Sequence, residues 1–236
     1  MSKKTFLCVI PARGGSKGIP NKNIIDINGQ PLISYSIGTA YDCKIFDRII
    51  VSTDSGEIAF HARTYNAEVP FVRPSELATD ESRVEDAMVH ALKHVEEYDK
   101  KYDYVCLLQP TSPLLESIDV INAKKMLFDK EADMIVSVSK SPINIFWARE
   151  IPEDLSMNSF DTDVCGTNKQ CFENMYYLNG AIYFGKWDIF YNKKDYYKQN
   201  TYAYKMPYEK SIDIDTYDDL KLVEYFLKKS KQEIAK

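Results

Sequence analysis

Apolar and polar positions follow two rhythms along the first 140 residues. Short apolar or β-branched runs read as strands: Phe6 to Ile10, Arg48 to Thr53, Ala67 to Phe71, Tyr104 to Leu108 and Met134 to Val138. Between them lie stretches with helical spacing. Pro31 to Cys43 carries Leu32, Ile33, Tyr35, Ile37 and Ala40 on one stripe, and Ser55 to Tyr65 opens on a cap at Ser55 or Asp54. Glu81 to Tyr98 and Ser117 to Phe128 follow the same period. Alternation of this kind predicts an α/β fold, a mostly parallel sheet with helices on both faces. In such sheets ligands bind beyond the carboxyl ends of the strands. The rhythm fails after Lys140. Residues 141–174 lack a period and hold Pro142, Trp147, Pro152, Cys165 and Cys171, so they read as an excursion from the sheet. Strand patterns resume at Ala181 to Phe184 and Tyr202 to Met206. A closing helix runs from Thr216 to about Glu233, with Asp218 and Asp219 at its start and Lys228, Lys229 and Lys231 near its end, as the helix dipole favours. The expected organisation is one core, 1–140 and 175–236, carrying the excursion 141–174.

Composition narrows the classes. At 236 residues the chain can bury a core without disulfides. A net charge of -5 argues against general nucleic-acid binding, which needs a positive footprint. No apolar run is long enough to span a membrane, and Phe6 to Ala12 is too short for a secretion signal. The five cysteines are odd in number and form no Cys-x-x-Cys, which predicts free thiols in a reducing cytoplasm and no zinc site. Cys8 and Cys106 fall in predicted strands and read as core. His90 and His94 are four apart on a helix but have no third ligand in sight. Eleven of the 17 tyrosines lie between Tyr176 and Tyr225, a bias that suits ordinary packing, a sugar platform or a subunit contact.

Two clusters carry chemistry. Gly14, Gly15 and Gly18 follow the first strand in a loop that also holds Arg13, Lys17 and Lys22. Glycines let backbone N–H groups encircle a phosphate and cations neutralise it. The spacing is neither Gly-x-x-x-x-Gly-Lys-Ser/Thr nor Gly-x-Gly-x-x-Gly. The second cluster is Ser211-Ile212-Asp213-Ile214-Asp215. In an extended segment both aspartates share a side, where they repel unless a cation bridges them. Mg²⁺ takes such oxygen ligands together with substrate phosphates. Loop and carboxylates together imply nucleotidyl or phosphoryl transfer. The bland alternative makes Asp215 the cap of the last helix.

Stretches spread over nearly the whole chain resemble the CMP-sialic acid synthetases, cytidylyltransferases that activate sialic acids and related nine-carbon acids. They are Ile10 to Gly18 with Lys22-Asn23, Val51 to Ser55, Arg73-Pro74 with Glu76 to Ala78, Leu107 to Pro113, Asn179 to Tyr183, and Ser211 to Asp215. The resemblance implies a Rossmann-like sheet of the nucleotidyltransferase type and a reaction joining CTP to the anomeric hydroxyl of a nonulosonic acid, releasing pyrophosphate. It implies that Arg13, Ser16, Lys17 and Lys22 cradle the phosphates, with Asn23 on the ribose and the Ala12 backbone and Arg73 at the cytosine. Gln109, Asn179 and Tyr183 would line the sugar pocket, and Asp213 and Asp215 would hold Mg²⁺. Arg13, Lys17, Lys22 and Asp213 would be the catalytic set. It further implies a homodimer built through the excursion, with Tyr196 and Tyr197 placed where a partner subunit lends aromatics to the sugar.

Some positions depart from that family. Lys169 stands where arginine often meets the sugar carboxylate, and keeps its charge without the bidentate fork. Asn144 replaces a frequent lysine, Tyr177-Leu178 precede Asn179 where arginine and proline are frequent, and Arg83 stands where small residues are common. The reacting groups are those of the family while the sugar-facing residues differ, which suits a relative such as legionaminic acid. Alternatives are an enzyme for pseudaminic acid or Kdo, or an inactive nucleotide-binding dimer module.

Overall fold

A computed structural model describes residues 3–144, 147–160, 175–193, 195–198 and 200–234. Its centre is a six-stranded sheet in the order β4-β1-β5-β7-β6-β8. The strands are β1 (Phe6–Pro11), β4 (Arg48–Ser52), β5 (Tyr104–Leu108), β6 (Met134–Lys140), β7 (Tyr176–Lys186) and β8 (Thr201–Met206). A separate two-stranded ribbon pairs β2 (Asp26–Ile27) with β3 (Gln30–Pro31). In the main sheet β1 pairs in parallel with β4 and β5, and β6 with β8, whereas β7 runs antiparallel between β5 and β6. The mostly parallel character read from the sequence holds, with β7 the reversed strand.

β1 is buried along nearly its whole length because both faces are covered. Cys8 and Ile10 face one core with residues of α1 (Leu32–Asp42), α2 (Gly56–Thr64) and α4 (Ser117–Asp129). Leu7 and Val9 face the other with α3 (Val84–Tyr98) and a short helix, α5 (Trp187–Tyr191). Burying each such side chain contributes roughly 1.5–3 kcal/mol. Cys8, Cys43 and Cys106 are buried and unbridged, and burial pushes the thiols up, that of Cys43 to about 12. No helix among the described residues is long and apolar enough to cross a membrane.

Several boundaries move. Ala67 to Phe71 forms no strand. It makes one bridge, Glu68 to Ile50, and stops there because Pro70 has no N–H to continue a ladder. The third helix starts at Val84, not Glu81, since Arg83 is extended (φ -78, ψ 143) and Thr79 and Ser82 close a polar turn ahead of it. β7 reaches back to Tyr176 through a register shift against β6 beside Gly180, whose φ is +74. The last helix, α6 (Tyr217–Ile234), takes its cap from Thr216: its Oγ1 accepts the Asp219 N–H at 3.2 Å, and Asp219 accepts the Thr216 N–H at 2.8 Å. Asp215 is therefore not the capping side chain. No strand or α-helix occurs among the described residues of 141–160.

Candidate active site

The glycine loop leaves the carboxyl end of β1 and is fastened on both sides. Gly14 N–H donates to Asp54 Oδ1 at 2.9 Å, at the end of β4, and Asn23 Nδ2 donates to the Arg13 carbonyl at 2.9 Å. Ile19 is buried with Ile212 and Ile214, so the far end of the loop is pinned to the 211–215 segment. Gly18 lies so close that a β-carbon there would collide with the Asp215 carbonyl. The contact, rather than an unusual dihedral, requires the glycine.

The 211–215 segment alternates as expected. Ile212 and Ile214 are buried while Asp213 and Asp215 are exposed, and both carboxylates line the same cleft. The Ile214 N–H donates to the Thr111 carbonyl at 2.9 Å, tying the segment to the loop after β5. Lys22 Nζ donates to Asp215 Oδ1 at 2.8 Å and to the Ile214 carbonyl at 2.7 Å. Although Asp213 meets solvent, the protein packed around it disfavours its charge. That desolvation, with the Asp215 and Asp219 carboxylates adding, pushes its carboxyl above the ordinary range. Two hard oxygen donors on one face, one of them destabilised as an anion, suit a divalent cation. No cluster of three or more metal-ligating side chains occurs among the described residues; His90 instead meets Phe71 edge to face and His94 packs on it at a tilt.

A cleft of ≈ 270 Å³ collects Arg13, Ser16, Lys22, Asn23, Arg73 and Gln109 with the two aspartates. Arg73 is 5% exposed; its Nε donates to Ser52 Oγ at 3.1 Å and its Nη2 to the Ser52 carbonyl. Burial pulls its guanidinium down to about 10. Lys17 stands at the rim, 3.3 Å from Asp80 Oδ2. Arg13 reaches the other Asp80 oxygen at 2.8 Å and donates to the Thr79 carbonyl at 2.6 Å. Asp80 thus sits on two of the three loop cations, an arrangement invisible in the sequence because Asp80 lies ahead of the helical pattern that opens at Glu81. Thr111 was also missed. Its hydroxyl serves the Asp213 carboxyl, and nothing in its local pattern signals this.

Other expected residues lie elsewhere. The Ala12 methyl is in the core and its N–H is taken by the Ser52 carbonyl at 2.9 Å. Asn179 is buried: its Oδ1 accepts from Ser137 Oγ at 2.6 Å and its Nδ2 donates to Ser211 Oγ at 2.9 Å. It braces the register shift in β7 and the start of the aspartate segment. Gly180 beside it leaves room for the Gln109 amide. Tyr183 packs against Tyr196, and burial with a hydrogen bond to Tyr197 raises its phenol. Tyr196 is itself buried, packed on Phe190, so its ring is committed to its own subunit rather than to a neighbour's; Tyr197 is exposed. Lys169 lies outside the described residues.

A glycine- and cation-rich loop and paired carboxylates line one cleft at the carboxyl edge of an α/β sheet, an arrangement suited to nucleotidyl transfer. Residues 7–233 match the family model described as cytidylyltransferase. A pseudaminic acid cytidylyltransferase of Campylobacter jejuni is 34% identical over 94% of this chain and 96% of its own. A CMP-N,N'-diacetyllegionaminic acid synthase of Legionella pneumophila is 35% identical over 98% and 99%. A solved CMP:2-keto-3-deoxy-manno-octonic acid synthetase complexed with CTP superposes with a TM-score of 0.71 at 17% identity, covering 96% of this chain and 100% of that one, and so shares the fold. The chain belongs to the cytidylyltransferase family, of the CMP-sialic acid synthetase type.

Proposed function

We propose that this enzyme joins CTP to the anomeric hydroxyl of a nonulosonic acid, forming a CMP-sugar and pyrophosphate. The observation that carries this reading is the cleft itself, where Arg13, Lys22, Arg73, Asp213 and Asp215 converge in a chain matched along nearly its full length by enzymes of this reaction. The sugar oxygen attacks the α-phosphorus, and the bond to the β-phosphate oxygen breaks. Arg13, Ser16, Lys17 and Lys22 hold the triphosphate and offset charge developing on the departing pyrophosphate. Asn23 meets the ribose, and Arg73 reads the cytosine. Gln109, at the inner wall, faces the acceptor.

Asp213 and Asp215 are the residues that would hold Mg²⁺, which when bound neutralises phosphate charge. The support is the shared face and the raised Asp213 carboxyl. A homodimer completes the reading: Ile143, Trp147, Ile151, Leu155 and Met157 are exposed apolar residues of the excursion. The relatives named for pseudaminic and legionaminic acids are equally close, so the acceptor test includes both. Pyrophosphate release from CTP with N-acetylneuraminic, pseudaminic, N,N'-diacetyllegionaminic and Kdo acids is the experiment. Release with one nine-carbon acid is expected; release with none sinks the proposal.

A further inference from the structure

Thr111 stands in the wall of the cleft with Gln109, assigned above to the acceptor, and with Asp213. We propose that Thr111 is a positioning residue that couples the two ends of the cleft: its hydroxyl turns from Asp213 to Gln109 once a cation neutralises Asp213, and so presents the Gln109 amide to the acceptor as a hydrogen-bond donor. The inference rests on the reaction proposed above and on Asp213 as a cation ligand.

The backbone places the residue first. The Thr111 carbonyl accepts the Ile214 N–H at 2.9 Å, which joins the loop after β5 to the aspartate segment. The side chain then meets a group from each. Its hydroxyl reaches the Asp213 carboxyl on one side. On the other, Oγ1 lies 3.4 Å from Gln109 Oε1. A threonine hydroxyl carries one proton, so it serves one of these oxygens at a time. The ionised carboxylate is the stronger acceptor, because charge-assisted hydrogen bonds exceed neutral ones. It therefore claims the proton while Asp213 has no cation, and the contact to Gln109 is accordingly longer than an ordinary O–H···O bond. With Asp213 neutralised, the amide oxygen becomes the better acceptor.

The Gln109 amide is placed to respond. Gly180 packs against it, so closely that a β-carbon there would stand 3.3 Å from Nε2. What remains to be fixed is which end of the amide points to Thr111. Among the described residues no group accepts from Nε2. With Oε1 held by Thr111, the Nε2 protons are left for oxygen atoms of the acceptor. Reversed, the amide would present its own oxygen and repel them. The two ends of an amide have nearly the same shape, so only a neighbour with a defined proton tells them apart. The Thr111 hydroxyl is that neighbour. The coupling is reciprocal: a cation that favours the acceptor is favoured by it to the same extent.

The test is calorimetric binding of whichever of the four acids above the wild type turns over. It uses the α,β-methylene analogue of CTP, which cannot release pyrophosphate, at saturation, in Mg²⁺ and in EDTA. Thr111→Val keeps the shape and the backbone bond to Ile214 but loses the hydroxyl; Thr111→Ala is a second hydroxyl-free variant, and Thr111→Ser keeps the hydroxyl. The tightening of acid binding by Mg²⁺ should be about three- to tenfold larger in wild type and Thr111→Ser than in the hydroxyl-free pair, the size of one neutral hydrogen bond. In a Gln109→Ala background Thr111→Val should leave the tightening unchanged, since the residue acts through the amide. Equal tightening in wild type and Thr111→Val overturns the inference and leaves the reaction intact. An effect of Thr111→Val that persists without the Gln109 amide overturns it too, as does one confined to affinity for the CTP analogue. A wild type that turns over none of the four acids overturns the activity reading and this inference together.

Discussion

Asp80 holds Arg13 and Lys17, two of the cations that the proposed function assigns to the triphosphate. On the proposed reading the triphosphate must displace it. Exposed ion pairs are weak, so the competition is modest. Asp80→Asn should tighten CTP binding about two- to fivefold in titrations done in EDTA; equal or weaker binding would mean that Asp80 only orients the loop. The two aspartates of the 211–215 segment make a larger forecast. Asp213→Asn or Asp215→Asn should lower Mg²⁺-dependent turnover by roughly 10²–10³, the usual loss for one preorganised electrostatic group. Melting in EDTA should not fall, because the cap of the last helix belongs to Thr216 and Asp219. Thr216→Ala is the converse variant, with melting lowered by about 1 kcal/mol of stability. Wild-type turnover in both Asn variants refutes the metal assignment.

Between elements, close approach decides what each position tolerates. Gly15 has open space where a β-carbon would stand, whereas Gly18 is pressed on the Asp215 carbonyl. Gly18→Ala should therefore destabilise by about 1–3 kcal/mol, the cost of overpacking, and Gly15→Ala should melt like wild type. Equal melting of the two would show that loop and aspartate segment are not in contact. At the opposite edge of the sheet, Asp103 staples β1 to β5, accepting the Thr5 N–H at 2.9 Å and its hydroxyl at 3.0 Å. The backbone hydrogen bond from Thr5 holds this carboxyl below its ordinary value. A depressed carboxyl binds fewer protons folded than unfolded, so its stabilisation is present above the unfolded value and lost as pH falls through the folded one. Asp103→Asn should melt below wild type at neutral pH, and the gap should close on acidification below the ordinary carboxylate range. A gap independent of pH would assign the effect to shape alone.

For the whole molecule, the described residues of the excursion are notable for exposed apolar side chains. Leu155 is 75% exposed and Ile143 64%, more than a monomer's surface gains from. Sedimentation of the wild type should report a dimer, and Leu155→Asp should shift it toward monomer. A monomeric wild type would remove the dimer from the proposal and leave the cleft untouched.

The residues of one short segment show what was legible and what was not. Alternation in Ser211 to Asp215 was enough to put Asp213 and Asp215 on one side, because side chains of an extended chain alternate whatever surrounds them. Likewise the apolar runs of β1, β4 and β5 and the stripes of α1, α2 and α4 were readable, since burial on both sheet faces imposes continuous apolar strands. The concentration of glycines and cations after β1 stood out for the same local reason. Strand order is another matter. That β7 runs backward between β5 and β6, with a register shift beside Gly180, depends on which edges pair after a long connection, and no local period encodes that. Asn179, part of the motif assigned to the sugar, braces that register shift because Ser137 and Ser211 meet it from a distant strand and loop. Asp80 lies ahead of the helical pattern and Arg83 at its expected start, where no period says which way a side chain faces, so only the packing of α3 against the sheet brings them to the cleft. The chemistry of each group belongs to its residue type; which groups face one another is decided by long-range contacts.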